Sequence, residues 1–305
     1  VQKDAILLIG FGAPEKLEDI PKFLEGVVRG QKIPPERLEE VLSHYKQIGG
    51  GSPFNRLTLQ QADALRSELK RRGRDIPVHV GMRNWHPYLK DIVQDMANDG
   101  TDRAITVILA PHQGIHSWGK YEIALAIAMQ PLGAKVFPAV NIAPWFDHPK
   151  FIEAVAARVQ ESLAPLPPER RAQAAYIFTA HSIPQKDSAP YPEQVKKTAD
   201  LVGNRCQLTN WTLAYQSRSG NPRDPWLEPD VLDEISRLAA AGIKDIVCIP
   251  IGFICDHVEV LYDLDIEARN HCEDFGVNFS RAATVGSHPK FIEMLADLIL
   301  EKVER

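Results

Sequence analysis

Residues 245–259 read Asp245-Ile-Val-Cys-Ile-Pro-Ile-Gly-Phe-Ile-Cys-Asp-His-Val-Glu259. The stretch opens as a short β-branched apolar run and ends in a loop rich in ionisable groups. A nearly continuous apolar run of this length suits a parallel strand buried on both faces. Similar runs occupy residues 5–9, 78–80, 104–109, 135–137, 175–179 and 211–215. Between them, residues 59–72 place Leu59, Ala62, Leu65 and Leu69 at helical spacing, and residues 228–241 do the same with Val231, Ile235 and Leu238. Strand alternating with helix predicts an α/β fold wound by right-handed crossovers.

The chain also repeats itself. His148-Pro-Lys-Phe-Ile-Glu153 recurs as His288-Pro-Lys-Phe-Ile-Glu293, 140 residues later. The runs around Ile105 and Ile246 are 141 residues apart. These offsets predict two similar Rossmann-like lobes, each a parallel sheet flanked by helices, with a cleft between them. Residues 1–140 form the first lobe and residues 141–287 the second; the helix at 288–305 packs back on the first. Ligands of open α/β sheets bind beyond the carboxyl ends of the strands, so the loops after the strands are expected to carry the chemistry.

Composition narrows the function classes. The chain has 305 residues, 44% hydrophobic and 25% charged, with a net charge of −5. It lacks the basic excess of a nucleic-acid binder. Its longest apolar run, residues 246–255, is half the length of a membrane span, and no integral membrane segment is expected. Residues 1–5 carry no apolar leader region. The four cysteines show no paired spacing, which points to reduced thiols and a cytoplasmic location rather than disulfides or structural zinc.

Two post-strand loops stand out. Ala180-His181-Ser182-Ile183-Pro184 places a histidine directly past a buried strand. Beyond the second strand, Asp256, Glu259, Asp263, Asp265 and Glu267 put five acids into twelve residues with no Lys or Arg among them. Glu259, Asp263 and Glu267 lie at i, i+4 and i+8, which drifts only ~40° per step on an α-helix. A solvated helix face has this pattern. So does a track for a divalent cation or for protons, where crowding raises carboxylate pKa values. Gly49-Gly50-Gly51-Ser52-Pro53 before a helix suggests an anion cradle. Gly10-Phe11-Gly12 lacks the third glycine of a dinucleotide fingerprint, because Glu15 stands there.

Six segments together resemble the ferrochelatases, which insert iron(II) into porphyrins: residues 7–14, 45–53, 181–184, 215–220, 225–229 and 250–265. The resemblance implies that His181 and Glu259 are the metal-site and catalytic residues. It implies that Asp263 and Glu267 continue an acidic metal track along a widened, π-type helical turn. It places Phe11, Arg29, His44, Tyr45, Ser52, Ser117 and Tyr121 against the macrocycle or its propionates. Phe11 stands where some bacterial members carry a tyrosine that ligates the metal, and phenylalanine has no ligand atom. The chain has no cysteine-rich tail, so no iron–sulfur cluster is expected.

The resemblance implies a monomeric enzyme whose partners are porphyrin and ferrous iron. The iron is a substrate, and no cofactor is required. Coproporphyrin III is expected over protoporphyrin IX, because the charged 32–40 and 115–127 segments, with Lys120 and Glu122 in the second, show no contiguous apolar lip for a membrane. The alternatives are a cobalt or nickel tetrapyrrole chelatase and a non-catalytic haem or porphyrin carrier.

Overall fold

A computed structural model describes residues 2–29, 32–186, 188–219 and 224–304, with only the backbone of His116. Gly220 of the resembling segment and the terminal residues lie outside the described residues. The chain divides into two compact units. The first takes the chain up to Ala110, then Ser117–Pro144, then the segment from Gly286 onward; the second takes Pro111–His116 and Trp145–Val285.

In the first unit, β1 (Asp4–Gly10), β2 (Val78–Met82), β3 (Arg103–Ile108) and β4 (Ala139–Asn141) form a parallel sheet in the order β2-β1-β3-β4. Ile6 to Ile9 on β1 are all buried, because helices cover both faces of the strand. The unit's helices up to this point are α1 (Ile20–Val28), α2 (Pro35–Gln47), α3 (Phe54–Arg71), α4 (Leu89–Asn98) and α5 (Lys120–Met129), of which α4 and α5 pack against Ala5, Leu7 and Ile9.

The second unit repeats the plan. It contains α6 (Pro149–Leu163), α7 (Pro168–Gln173), β5 (Ala175–His181), α8 (Tyr191–Cys206), β6 (Trp211–Gln216), α9 (Val231–Ala240), β7 (Asp245–Pro250), α10 (Val258–Leu261), α11 (Arg269–Asp274) and β8 (Asn278–Arg281). Its sheet is also all parallel, in the equivalent order β6-β5-β7-β8. The last helix, α12 (Pro289–Val303), packs on α3, whereas α6 packs on α8. The repeated His-Pro-Lys motif caps both: the Nδ1 atoms of His148 and His288 each accept the N–H of the lysine two residues on, at 3.2 Å.

Three expectations need correction. The strand expected at 135–137 lies at β4 instead. Residues Gln130–Lys135 form a 3-10 turn, and Leu132 and Phe137 drop into the core beside α4 and α5. Strand β8 escaped notice because Asn278-Phe-Ser-Arg281 is a partly exposed edge strand without an apolar run. The 115–127 segment does expose apolar side chains: Ile115, Ile123 and Ile127 are each more than half exposed. Helix α5 is apolar nearly all round, and its Tyr121, Leu125 and Ala128 already fill the core face.

The glycine run at 49–51 serves close approach rather than anion binding. A side-chain carbon at Gly51 would stand 1.9 Å from the Glu15 carbonyl oxygen. The N–H groups of Gly49, Gly50 and Ser52 donate to Lys46, Tyr45 and Pro14 carbonyls, and that of Phe54 to the Ser52 hydroxyl. These four donors are spent on the fold and not left for an anion.

Helix α12 is tied to α3 by charge. Arg72 bridges Glu68 and Asp297 at 2.6 Å each. The hydrogen bond from Arg71, opposed by burial and reinforced by Arg72, holds the Glu68 carboxyl down at about 2. A depressed acid stabilises the fold above its unfolded value of about 4.5 and loses that contribution as pH falls toward 2. Glu68→Gln is therefore expected to lower stability by about 1–2 kcal/mol at pH 7. The deficit should shrink steadily between pH 5 and pH 3 in urea titrations. A deficit independent of pH would rule the bridge out as its source.

Candidate functional site

The candidate site is built at the carboxyl ends of β5, β6 and β7. Strands β5 and β7 pair in parallel with Thr179 opposite Pro250. The N–H groups of Ile251 and Gly252 then both donate to the Thr179 carbonyl. This pins the chain leaving β7 against β5. A side-chain carbon at Gly252 would stand 2.8 Å from the Ala180 Cα, so only glycine permits the approach. The loop then carries the chain to α10, which begins one residue before Glu259.

Two of the predicted residues meet there. His181 Nε2 lies 3.7 Å from Glu259 Oε1, with the two side chains 29% and 37% exposed. The Nδ1–H of His181 donates to the Ser182 carbonyl, since a carbonyl only accepts. That fixes the tautomer and leaves Nε2 as the working atom. The backbone around His181 is held as well. Its carbonyl accepts the Tyr191 hydroxyl at 3.0 Å, and the next N–H, on Ser182, donates to the Gln216 carbonyl at 2.8 Å. The Gln216 side-chain amide donates to the main-chain carbonyl of Glu259, which ties the two chemical residues together through β6.

Glu259 has a second imidazole neighbour. His257 Nε2 is 3.2 Å from Glu259 Oε2, so the carboxylate sits between two histidines. Burial favours the neutral acid, but His181 and then His257 outweigh it and hold the Glu259 carboxyl far below its ordinary range. Burial likewise opposes a charged His181, yet the Glu259 carboxylate, the Ser182 carbonyl and the Asp263 charge together raise its pKa. Asp263 goes the other way. Burial, with the charges of Glu259 and Glu267, pushes it up to about 7 against the Ser217 hydroxyl that donates to it.

The acidic track follows a π-helical segment, Asp263–Ala268, as the resemblance implies. Its widening is visible at Tyr262, whose carbonyl accepts both the Ile266 N–H at 3.1 Å and the Glu267 N–H at 2.9 Å. Such turns recur at functional sites.

The five acids are not equivalent. Arg281 on β8 grips both oxygens of Asp265 at 2.7 and 2.8 Å and reaches Asp256 at 3.3 Å. Thr284 also donates to Asp256. Two of the five are therefore structural anchors, and the track reduces to Glu259, Asp263 and Glu267. The sequence placed no cation inside the acidic stretch, and the neutralising one arrives from a strand sixteen residues beyond Asp265. His257 and Gln216 were also passed over, although both lie inside the resembling segments.

The seven residues expected to touch a macrocycle all belong to the first unit. Phe11 is 37% exposed and meets Phe23 edge-on, with ring centroids 6.3 Å apart. Arg29 caps α1 in the left-handed conformation and is exposed. His44 is half-buried, and burial lowers its pKa. Tyr45, Ser52 and Tyr121 are buried. Ser117 is half-buried within a second π-helical turn, Ile115–Gly119, which the sequence did not announce. Among the described residues, no group of three or more His, Cys, Asp or Glu side chains forms a ready metal cage.

Residues 3–303 match the ferrochelatase family. A coproporphyrin III ferrochelatase of Mycolicibacterium smegmatis is 41% identical over 303 residues, covering 98% of this chain and 89% of that protein. A ferrochelatase of Rhodopirellula baltica is 38% identical, covering 98% and 86%. Among solved structures, the sirohydrochlorin chelatase of Bacillus subtilis subspecies spizizenii in complex with cobalt superposes with a TM-score of 0.59 at 13% identity, over 99% of this chain and 96% of that one. That likeness speaks for the fold. The chain belongs to the ferrochelatase family, and it is an enzyme.

Removing the neutralising arginine tests the division of the acids. Arg281→Met leaves Asp256 and Asp265 without their shared cation in a largely buried setting. It is expected to cost about 3–5 kcal/mol in urea unfolding. Glu267→Gln, which leaves the Arg281 pairs with Asp256 and Asp265 in place, should stay within about 1 kcal/mol of wild type. Equal losses would contradict the assignment.

Proposed function

We propose that this chain inserts Fe²⁺ into coproporphyrin III with release of two protons, as a step in haem synthesis. The observation that carries the reading is the His181–Glu259 pair at the shared end of β5 and β7, with its working nitrogen fixed, in a chain of ferrochelatase sequence. Relatives about 40% identical bear the name coproporphyrin III ferrochelatase, which favours that porphyrin over protoporphyrin IX. Metallation exchanges two pyrrole protons for one dication. Charge balances without a redox step, and the reaction needs no resident cofactor.

His181 Nε2 has a single lone pair, so it cannot hold iron and a proton at once. The two uses follow in sequence. Glu259, flanked by His181 and His257, stays anionic and stabilises whichever cation Nε2 carries, metal or proton. Imidazole and carboxylate together suit a borderline divalent metal. Asp263 and Glu267 extend the acid row and hand the ion inward. Phe11 offers ring contact and no axial ligand. Strain in the bound macrocycle is drawn from contacts with its periphery, the role we assign to Arg29, His44, Tyr45, Ser52, Ser117 and Tyr121. The enzyme acts as a cytoplasmic monomer; no helix among the described residues is long and apolar enough to cross a membrane.

The test is anaerobic metallation followed by porphyrin absorbance. Wild type should turn over free-base coproporphyrin III many times, faster than protoporphyrin IX. His181→Ala should lose at least 100-fold in rate, within the usual range for a group acting on protons, while porphyrin affinity stays within about tenfold. One equivalent bound without turnover would point to a carrier instead.

Direction along the acid row gives a second test. Glu259→Gln should be severe at every iron concentration. Glu267→Gln should raise the iron concentration needed for half-maximal rate, with its defect shrinking at high iron. Identical losses at all concentrations would dismiss the track.

A further inference from the structure

One stretch of the second unit comes from an early part of the chain. After β3, residues Pro111–His116 join the second unit before the chain resumes the first at Ser117. This strap is bonded along one face of α8. His112 Nε2 lies 2.9 Å from the Thr198 hydroxyl, and the Gln113 N–H donates to the Gln194 side-chain carbonyl at 2.6 Å. The His112 ring meets the Tyr191 ring edge-on, with centroids 5.9 Å apart. Tyr191, Gln194 and Thr198 stand at i, i+3 and i+7, so all three share one face of the helix.

His112 is 2% exposed. Burial drives its pKa down to about 3, so the imidazole stays neutral. Thr198 gives its own hydroxyl proton to the Phe146 carbonyl at 2.8 Å, with the Gln194 carbonyl farther off at 3.2 Å. The Thr198 oxygen is therefore the acceptor toward His112, and Nε2 carries the hydrogen. The hydrogen bond and the ring contact together fix the imidazole against α8.

The other end of Tyr191 reaches the metal pair. Its hydroxyl donates to the His181 carbonyl at 3.0 Å, and the Ser182 N–H donates to the Gln216 carbonyl at 2.8 Å. Those two groups belong to one planar peptide, which is thus held at both edges. Ser182 also supplies the carbonyl that takes the Nδ1–H of His181. Turning that peptide would turn the imidazole with it and carry Nε2 away from Glu259. Tyr191 is the first residue of α8, where a helix has not yet closed its own hydrogen bonds. The brace must come from outside the helix, and the strap supplies it. Resting on the metallation reading above, we propose that His112 is a positioning residue for iron insertion. Packed on Tyr191 and bonded to Thr198, it keeps the Tyr191 hydroxyl on the His181 carbonyl and so holds Nε2 toward Glu259.

The experiment is steady-state metallation of coproporphyrin III by the full chain. Tyr191→Phe keeps the ring and drops the hydroxyl. It should lower kcat about tenfold, part of the ~100-fold that a 1 Å misplacement can cost, and leave KM for the porphyrin within about twofold. His112→Leu should lower kcat by a similar factor, and His112→Gln, which can still donate to Thr198, should recover most of it. With Tyr191→Phe and His112→Leu combined, the loss should stay near that of either alone, because both act through one hydroxyl. A merely structural role would make the two losses multiply. Multiplied losses, or a kcat within about twofold of wild type in Tyr191→Phe, would overturn the proposal. Should His112→Leu not fold, Thr198→Val takes its place as the variant that loosens the strap. Failure of wild type to metallate the porphyrin would overturn the metallation reading instead.

Discussion

The parallel pairing of β5 with β7 is the constraint on which the candidate site depends. Both strands are buried along their length, so a slip of one residue would move every side chain into the packing layer on the opposite face, where its shape does not fit. The register that packing selects sets Thr179 against Pro250. Everything chemical is counted from there. His181 stands two residues past Thr179, and the chain leaving Pro250 is captured by the same carbonyl before it reaches Glu259. The 3.7 Å between imidazole and carboxylate thus rests on hydrophobic burial some distance away.

Around that pair the charges are sorted by their neighbours. Arg281 removes Asp256 and Asp265 from play, while Glu259 takes two imidazoles and Asp263 takes only a hydroxyl. Four carboxyl groups within one short segment therefore meet three different environments. Asp263, whose carboxyl burial pushes up to about 7, lies between the ends of the row.

Much of this was legible in the sequence, for physical reasons. Continuous apolar runs reveal strands buried on both faces, and so β1, β2, β3, β5, β6 and β7 were visible. Edge strands carry no such signature: β4 and β8 are short and partly exposed, and both were missed or misplaced. His181 and Glu259 were singled out because each follows a buried strand or its loop and because the resemblance points to them, and the structure brings their side chains to 3.7 Å. Arg281 was not, because an ion pair across sixteen residues leaves no local pattern. The glycine run misled because glycine marks close backbone approach and anion cradles alike, and only the hydrogen bonds distinguish them. The exposed isoleucines of α5 were hidden by the Lys120 and Glu122 that sit among them.

The two halves of the chain exchange their final helices, and this has a consequence for how the protein is made. Helix α6 follows the first sheet in sequence yet packs in the second unit; α12 follows the second sheet yet packs in the first. The second unit is almost contiguous, with everything from Trp145 to Val285 emerging in one stretch. The first is not. Its sheet is finished by Asn141, but α3 waits for its partner until roughly 140 further residues have been added. At about 5–20 residues per second that is a delay of roughly 7–30 s. For that interval the nascent chain presents the face of α3 that α12 will cover, so the half synthesised first is the half completed last.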